Sequence, residues 1–412
     1  MPDTRRLMPK IIMPKNKTGN SKFLKMYNEA VILDMIRLHG ALSKSELSRI
    51  TGLSPTAAGM IASGLLEKGY LQERGEGESS GGRKPVLLEL APRSYYSVGV
   101  DMDVGCIRAV LMDITGALVC ELTRPMPDPP LFEEAEAIVR DMVAGVLDEH
   151  SVAKDRLLGI GISVPGIVDM ETGRIVLAPN LGWENVNFGI SMGQPPGIPV
   201  FVENEAMSSA ICENWVGSCK GINNFVCINI KSGVGSGIFA DGRLYRGAGG
   251  SAGEVGHIAV DENGPRCGCG NYGCLETLVS SSRIVEKARK LAKQGASPGL
   301  SALQDIGEID LDMLVKASKE GDEAAKAILI ESARYLGIAV SYIVNTLNPS
   351  KVVIGKDFTR YADVVIDYLR SIVYCKALKT HASKVEIVSS PIGDRASALG
   401  AAIIPLKALF GK

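Results

Sequence analysis

The sequence predicts an α/β protein in two unequal parts: a small three-helix module with a β-wing, then a large two-lobed α/β body. Three observations predict it. The chain has 412 residues, more than one hydrophobic core ordinarily spans. Up to about residue 92 it carries three closely spaced helical patterns with caps, then two strand-like pieces around a glycine-rich loop. Beyond that it alternates strand hairpins, helices and returning strands, the order expected of a mixed body with two lobes and a cleft. The expected division is a basic tail over 1–22, the helical module over 23–92 and the body over 95–412. One lobe of the body takes approximately 95–202 plus the C-terminal helix, the other 203–389.

Between Lys25 and Leu38, Met26, Ala30, Val31, Leu33 and Ile36 recur at helical spacing, and Gly40 stops the helix. Ser43, with Glu46 three residues on, makes a capping box for a short second helix that Thr51-Gly52 ends. Ser54 as N-cap and Pro55 at the first helical position open a third helix running to about Lys68. Its expected buried stripe is Ala58, Ile61, Leu65 and Leu66, which turns Thr56, Ala57, Gly59, Met60 and Ser63 outward. Tyr70 to Glu73 and Val86 to Leu90 read as strands, with Arg83 and Lys84 at the tip of the loop between them.

Two helices across a short turn, followed by such a wing, describe a winged helix-turn-helix; a three-helix protein–protein module is the competing reading. On the DNA reading, Ser54, Thr56, Ala57, Met60 and Ser63 face the duplex. Arg83 and Lys84 then reach phosphates or a narrow minor groove. The third helix has no Arg or Lys among its exposed early positions, so weak readout per copy and paired binding are expected.

Charge is divided in the same way. The net charge is −1, but residues 1–92 hold 14 Lys+Arg against 9 Asp+Glu, leaving 31 against 37 for the rest, so the front is +5 and the remainder −6. A polyanion partner is implied for the front alone. With 46% hydrophobic and 22% charged residues, neither disorder nor a fibrous repeat fits. The N-terminus lacks the apolar stretch of a signal peptide, and no run of eighteen uncharged apolar residues occurs, so a cytoplasmic protein without a membrane partner is expected. Of nine cysteines, Cys267, Cys269 and Cys274 crowd into eight residues, a metal-site pattern rather than a disulfide framework.

In the body, Val98 to Asp101 and Ile107 to Asp113 read as strands, Glu133 to Glu149 as a helix and Leu157 to Val164 as an apolar strand ending in Pro165-Gly166. A strand at Pro199 to Glu203, a helix at Ala206 to Val216 and hairpin strands at Asn224 to Ile230 and Ser236 to Ala240 follow. Long helices then alternate with strands at Lys351 to Gly355 and Lys384 to Val388.

Across nearly its whole length the chain resembles the ROK family of repressors, uncharacterised reading frames and sugar kinases, and most of all its xylose-repressor-like regulators. The most specific element is Cys267-Gly-Cys-Gly-Asn-Tyr-Gly-Cys-Leu-Glu276, preceded by Gly253-Glu-Val-Gly-His257. The resemblance implies an actin-like, ribonuclease-H-type two-lobed fold, the same N-terminal winged helix, and a homodimer or dimer of dimers. His257, Cys267, Cys269 and Cys274 supply one imidazole and three thiolates within eighteen residues, a closed tetrahedral set suited to structural zinc.

The family's sugar contacts carry over onto Ser163, Asn204, Glu205, Glu254, His257 and Glu276, where Glu203-Asn204-Glu205 resembles the family's Glu-Asn-Asp element. Such carboxylates and amides suit a polyol, because each hydroxyl wants both a donor and an acceptor. The kinases' first phosphate loop resembles Asp-x-Gly-Gly-Thr-Lys, whereas this chain has Asp101-Met-Asp-Val-Gly-Cys106. Glu205 replaces the aspartate base, and the adenosine-side glycine pair has become Gly355-Lys356. A monosaccharide-controlled repressor of sugar-metabolism genes is therefore expected, with no catalytic residues and no ATP. An ATP-dependent sugar kinase with an added DNA-binding module, or a regulator controlled by a protein partner, are the rival readings.

Overall fold

The structure is a computed structural model that describes residues 21–77, 84–169, 172–188, 197–303 and 305–411. Arg83 and nearly all of the basic tail lie outside these residues. The small module comprises α1 (Ser21–His39), β1 (Leu42–Ser43), α2 (Lys44–Thr51), α3 (Pro55–Glu67), β2 (Leu71–Glu76) and β3 (Val86–Leu90). Ser43 and Glu46 complete the capping box from both sides, and Gly52, at φ 72°, ends α2 in the left-handed conformation. The Ser54 hydroxyl accepts from the Ala57 amide at 3.2 Å and starts α3. The three strands pair in the order β1-β3-β2, behind the helices. The buried stripe of α3 is Ala58, Ala62 and Leu65. Ile61 and Leu66, expected inside, are half-buried at its margins, because this four-then-three spacing points between them.

The first lobe contains β4 (Tyr96–Met102), β5 (Cys106–Asp113), β6 (Leu118–Pro125), α4 (Phe132–Glu149), β7 (Leu157–Val164), β8 (Ile167–Asp169), β9 (Arg174–Ala178), β10 (Trp183–Asn187) and β11 (Val200–Asn204). Its sheet runs β11-β7-β4-β5-β6, while β8, β9 and β10 form a separate antiparallel sheet. Strands β11, β7 and β4 are parallel, so their carboxyl ends share one edge. Helix α5 (Glu205–Trp215) starts directly from β11 at that edge.

The second lobe holds β12 (Phe225–Ile230), β13 (Val234–Ala240), β14 (Arg243–Tyr245), α6 (Glu276–Val279), α7 (Ser281–Lys293), α8 (Pro298–Ser301), α9 (Leu311–Lys319), α10 (Glu323–Leu347), β15 (Lys351–Lys356), α11 (Ala362–Lys376), α12 (Lys379–Ala382) and β16 (Glu386–Ser389). Its sheet runs β14-β13-β12-β15-β16, with β12, β15 and β16 parallel. Helix α10 is long and apolar enough to cross a membrane, but its most apolar window is 72% buried and it forms the core of this lobe.

The last helix, α13 (Ala396–Leu409), returns to the first lobe and packs on β4, β7 and α5. Gly400 is where α13 meets α5: a Cβ there would stand 1.8 Å from the Ser208 carbonyl oxygen. The small module is seated on this helix pair. Its Ile32, Leu33 and Ile36 join one hydrophobic cluster with Val110, Met112, Trp215 and Phe410 of the body. The Arg37 guanidinium lies 3.9 Å over the Trp215 ring while also pairing with Asp34 at 2.9 Å.

Candidate functional site

Four ligand atoms from His257, Cys267, Cys269 and Cys274 lie within 4.8 Å of one another. The loop between β14 and α6 brings them together through two small bridges, Ala259 to Cys274 and Arg266 to Tyr272. Gly273, at φ 63°, is required for the tight return, since a Cβ there would overlap the Asp261 carbonyl. The Cys269 and Cys274 sulfurs are 3.7 Å apart, and Cys267 Sγ is 3.6 Å from His257 Nδ1. Ligands about 2.3 Å from a tetrahedral ion stand roughly 3.8 Å apart, so the set fits zinc. The Asn271 backbone amide and the neighbouring thiols bring the Cys269 thiol down to about 7, toward the thiolate that a metal needs. Among the described residues, this is the His/Cys/Asp/Glu group with metal-site geometry, and it contains the four residues expected from the sequence.

Glu276 ties this loop to the lobe seam. Its Oε1 is 3.9 Å from Cys267 Sγ, and its Oε2 accepts from the Val234 amide at 3.3 Å. A Cβ on Gly233 would lie 2.8 Å from Glu276 Oε2 and 3.6 Å from Asn180 Nδ2, so the loop before β13 passes between these two polar groups. Glu276 also lines, with Ser232, Thr277 and Arg283, a cavity of about 190 Å³. Glu254 neighbours both His257 and Glu276, and enclosure raises its carboxyl above the usual range. Glu254, His257 and Glu276 thus form one group.

Asn204 and Glu205 form a second group. Asn204 is the N-cap of α5: its Oδ1 accepts from the Ala206 and Met207 amides, and its Nδ2 donates to the Gly166 carbonyl at 3.0 Å. One amide hydrogen remains for a ligand. Ser163 is fully buried in β7, opposite Asp101 and Glu203 in register, and its hydroxyl has no partner. It stands beneath the site rather than on its surface.

The sequence reading overlooked the ionic lining of the seam, because its members lie far apart in the chain. Asp101 and Asp103 belong to the carboxyl end of β4, Lys231 follows β12, and Lys356 ends β15. Lys356 Nζ is 2.8 Å from Asp101 Oδ2, and Lys231 Nζ is 2.6 Å from Asp103 Oδ2. A third pair joins Arg246, after β14, to buried Glu203 at 2.5 Å. Each pair links the two sheets. Burial opposes charge on Lys356, yet Asp101, Glu205 and Asp103 hold its ammonium above the usual range. Burial, assisted by Asp103 and Asp101 and opposed by both lysines, pushes Glu205 up to about 7.

On the small module, Thr56, Met60 and Ser63 are exposed on α3, Ala57 is half-buried, and Ser54 is exposed at its start. Lys84 Nζ is 3.7 Å from Glu76 across the base of the wing. Lys44, not anticipated, places its ammonium 3.0 Å from the Ser63 hydroxyl and gives the outer face of α3 the cation it lacks in its own sequence.

Comparison with known proteins places these features in one context. A xylose repressor from Caldicellulosiruptor bescii is 32% identical, over 93% of this chain and 96% of its own. The crystal structure of a ROK family transcriptional regulator, a homolog of the E. coli MLC protein, superposes with a TM-score of 0.81 at 26% identity, covering 94% of this chain and 97% of that one. A ROK family glucokinase from Streptomyces griseus, in complex with glucose and AMPPNP, matches 75% of this chain and 98% of its own, with TM-score 0.66 and 27% identity. The expected two-lobed kinase-like fold with an added N-terminal module is thereby established. Residues 97–408 match the ROK family as a whole, and the chain is a member of that family.

Proposed function

We propose that this protein is a sugar-responsive transcriptional repressor: α3 and the wing bind double-stranded operator DNA, and a monosaccharide enters the seam between the lobes. The reading assigns Ser54, Thr56, Ala57, Met60, Ser63, Arg83 and Lys84 to DNA. It assigns Asn204, Glu205, Glu254, His257 and Glu276 to the sugar, with Ser163 reached from below. His257, Cys267, Cys269 and Cys274 hold a structural zinc ion that braces Glu276. His257 takes the metal through Nδ1, which leaves Nε2 for a hydroxyl. The module boundaries are those stated for the sequence, and the protein acts in the cytoplasm as a homodimer or dimer of dimers.

One observation carries this reading. Helix α5 begins at the proposed sugar residues Asn204 and Glu205 and ends at Trp215, under Arg37 of the small module. Its 11 residues span about 16 Å, and α13 packs along it. A ligand that shifts the start of α5 shifts the seat of the DNA-binding module. A coupling of about 1–3 kcal/mol changes DNA affinity roughly 5- to 150-fold. The names of the relatives support the same function.

Phosphotransfer is not part of the proposal. Asp103 and exposed Val104 occupy the turn after β4, and the glutamate at 205 extends a methylene beyond an aspartate; a misplacement of about 1 Å costs roughly a hundredfold. The test is calorimetric titration of the zinc-loaded chain with D-xylose, D-glucose and N-acetyl-D-glucosamine, beside an assay for ADP release from ATP with each sugar. The proposal expects one saturable isotherm and no sugar-dependent ADP. Absence of binding by every sugar defeats the sensor reading, and sugar-dependent ADP release establishes the kinase.

A further inference from the structure

The ionic lining of the seam bears on which ligands it admits. Asp101, Asp103 and Glu205 bring three carboxylates against the two ammoniums of Lys231 and Lys356. Asp357 adds a further carboxylate facing Lys231. Both lysines are already committed: Lys356, 1% exposed, bonds Asp101 at 2.8 Å and lies 3.8 Å from Asp103, while Lys231 bonds Asp103 at 2.6 Å. Lys356 keeps this position at φ 58°, a conformation that glycine adopts far more readily. Arg360 in turn lies 3.8 Å from Asp357, so among the described residues each cation of the lining already has a carboxylate partner.

Its open hydrogen-bonding capacity is of the same kind. Asp101 Oδ1 and Ser163 Oγ are buried and have no partner. The first accepts only, and the second both donates and accepts. Hydroxyl groups suit either one. A phosphate, which brings acceptors and negative charge, satisfies the first not at all and must compete with Asp103 for Lys231.

We infer that Asp103 is a specificity-determining residue: by holding Lys231 and screening Lys356 it closes the seam to phosphate-bearing ligands and reserves it for uncharged polyols. The inference rests on the reading of the seam as a sugar site, and it names the class of sugar as unphosphorylated. It also carries a gain-of-function consequence. With Asp103→Asn the side chain keeps its shape, Lys231 loses its ion-paired carboxylate and keeps only the more distant Asp357, and the lining becomes able to hold an anion.

The experiment uses the zinc-loaded full chain and sodium tripolyphosphate as the probe, titrated calorimetrically at ionic strength held constant with NaCl. The parent protein is expected to show no saturable binding at millimolar probe, and Asp103→Asn to bind at least about tenfold more tightly. Asp103→Asn combined with Lys231→Met is expected to lose that gain. Saturable binding to the parent seam, abolished by Lys231→Met alone, overturns the inference whether or not the aspartate variant folds. A folded Asp103→Asn or Asp103→Gly protein, shown by a cooperative melt, that gains no binding overturns it as well. The same parent titrated with neutral monosaccharides separates the two proposals: binding of both sugar and tripolyphosphate defeats this inference alone, whereas exclusion of tripolyphosphate with no sugar bound defeats the sugar reading alone.

Discussion

Replacing Glu205 by glutamine tests the electrostatics of the seam directly. Burial raises this carboxyl from 4.5 to about 7, and the lysines only partly offset that effect. A group whose folded pKa is raised contributes stability that is complete below its unfolded value and is lost as pH rises through the folded one. In the parent this contribution is therefore full below pH 4.5 and lost above about pH 7. A shift of this size corresponds to about 3 kcal/mol, or roughly 5 °C in Tm for a cooperative unit of about 300 residues. Glutamine has nearly the same shape and does not ionise. Glu205→Gln is thus expected to be more stable than the parent at pH 8, by up to about 3 kcal/mol, with the advantage fading as pH falls toward 5. Paired thermal melts from pH 5 to pH 8 measure the difference, and titrations common to both proteins cancel. If the variant is equally or less stable at pH 8, Glu205 ionises in the fold without cost because Lys356 supports it, and the account of the seam is wrong.

Other substitutions probe the remaining parts. Cys274→Ala removes one of four clustered ligands; zinc content measured by elemental analysis is expected to fall well below that of the parent, with a lower Tm, and full retention of zinc would exclude the proposed ligand set. Lys44→Ala removes the cation beside Ser63; the slope of log K against log salt for DNA binding is expected to shrink by about 1 per chain with sequence preference unchanged. An unaltered slope would take Lys44 off the DNA face. Gly400→Ala places a methyl 1.8 Å from the Ser208 carbonyl, and separating α5 from α13 to accept it is expected to cost about 3 kcal/mol or more in denaturant unfolding. A variant as stable as the parent would show that the two helices are not held at that spacing.

Much of the small module was legible in the sequence because its signals are local. The capping box of Ser43 and Glu46, the Ser54-Pro55 start and the Gly52 stop act within a few residues. The metal group was legible for the same reason, since its four ligands span one short loop. Strand β6 was missed because it is an edge strand whose mostly exposed residues do not alternate cleanly. The β8–β10 sheet was missed because its strands have only three to five residues each. The Lys356–Asp101 pair joins positions 255 residues apart, and no local pattern announces it. A lysine at the end of one strand and an aspartate near the end of another read separately as solvated charges; only the meeting of two sheet edges makes them partners.

The central claim is that occupancy of the seam alters the grip of α3 on DNA. Fluorescence anisotropy of a duplex selected from a random library by the full-length protein, titrated with that protein in the presence and absence of neutral monosaccharides, tests this most directly. The account expects one sugar to change the affinity roughly 5- to 150-fold at fixed salt, and Asn204→Ala to abolish that change while leaving a folded, DNA-binding protein. Failure to select any duplex, or an affinity indifferent to every sugar that calorimetry shows to bind, would contradict it.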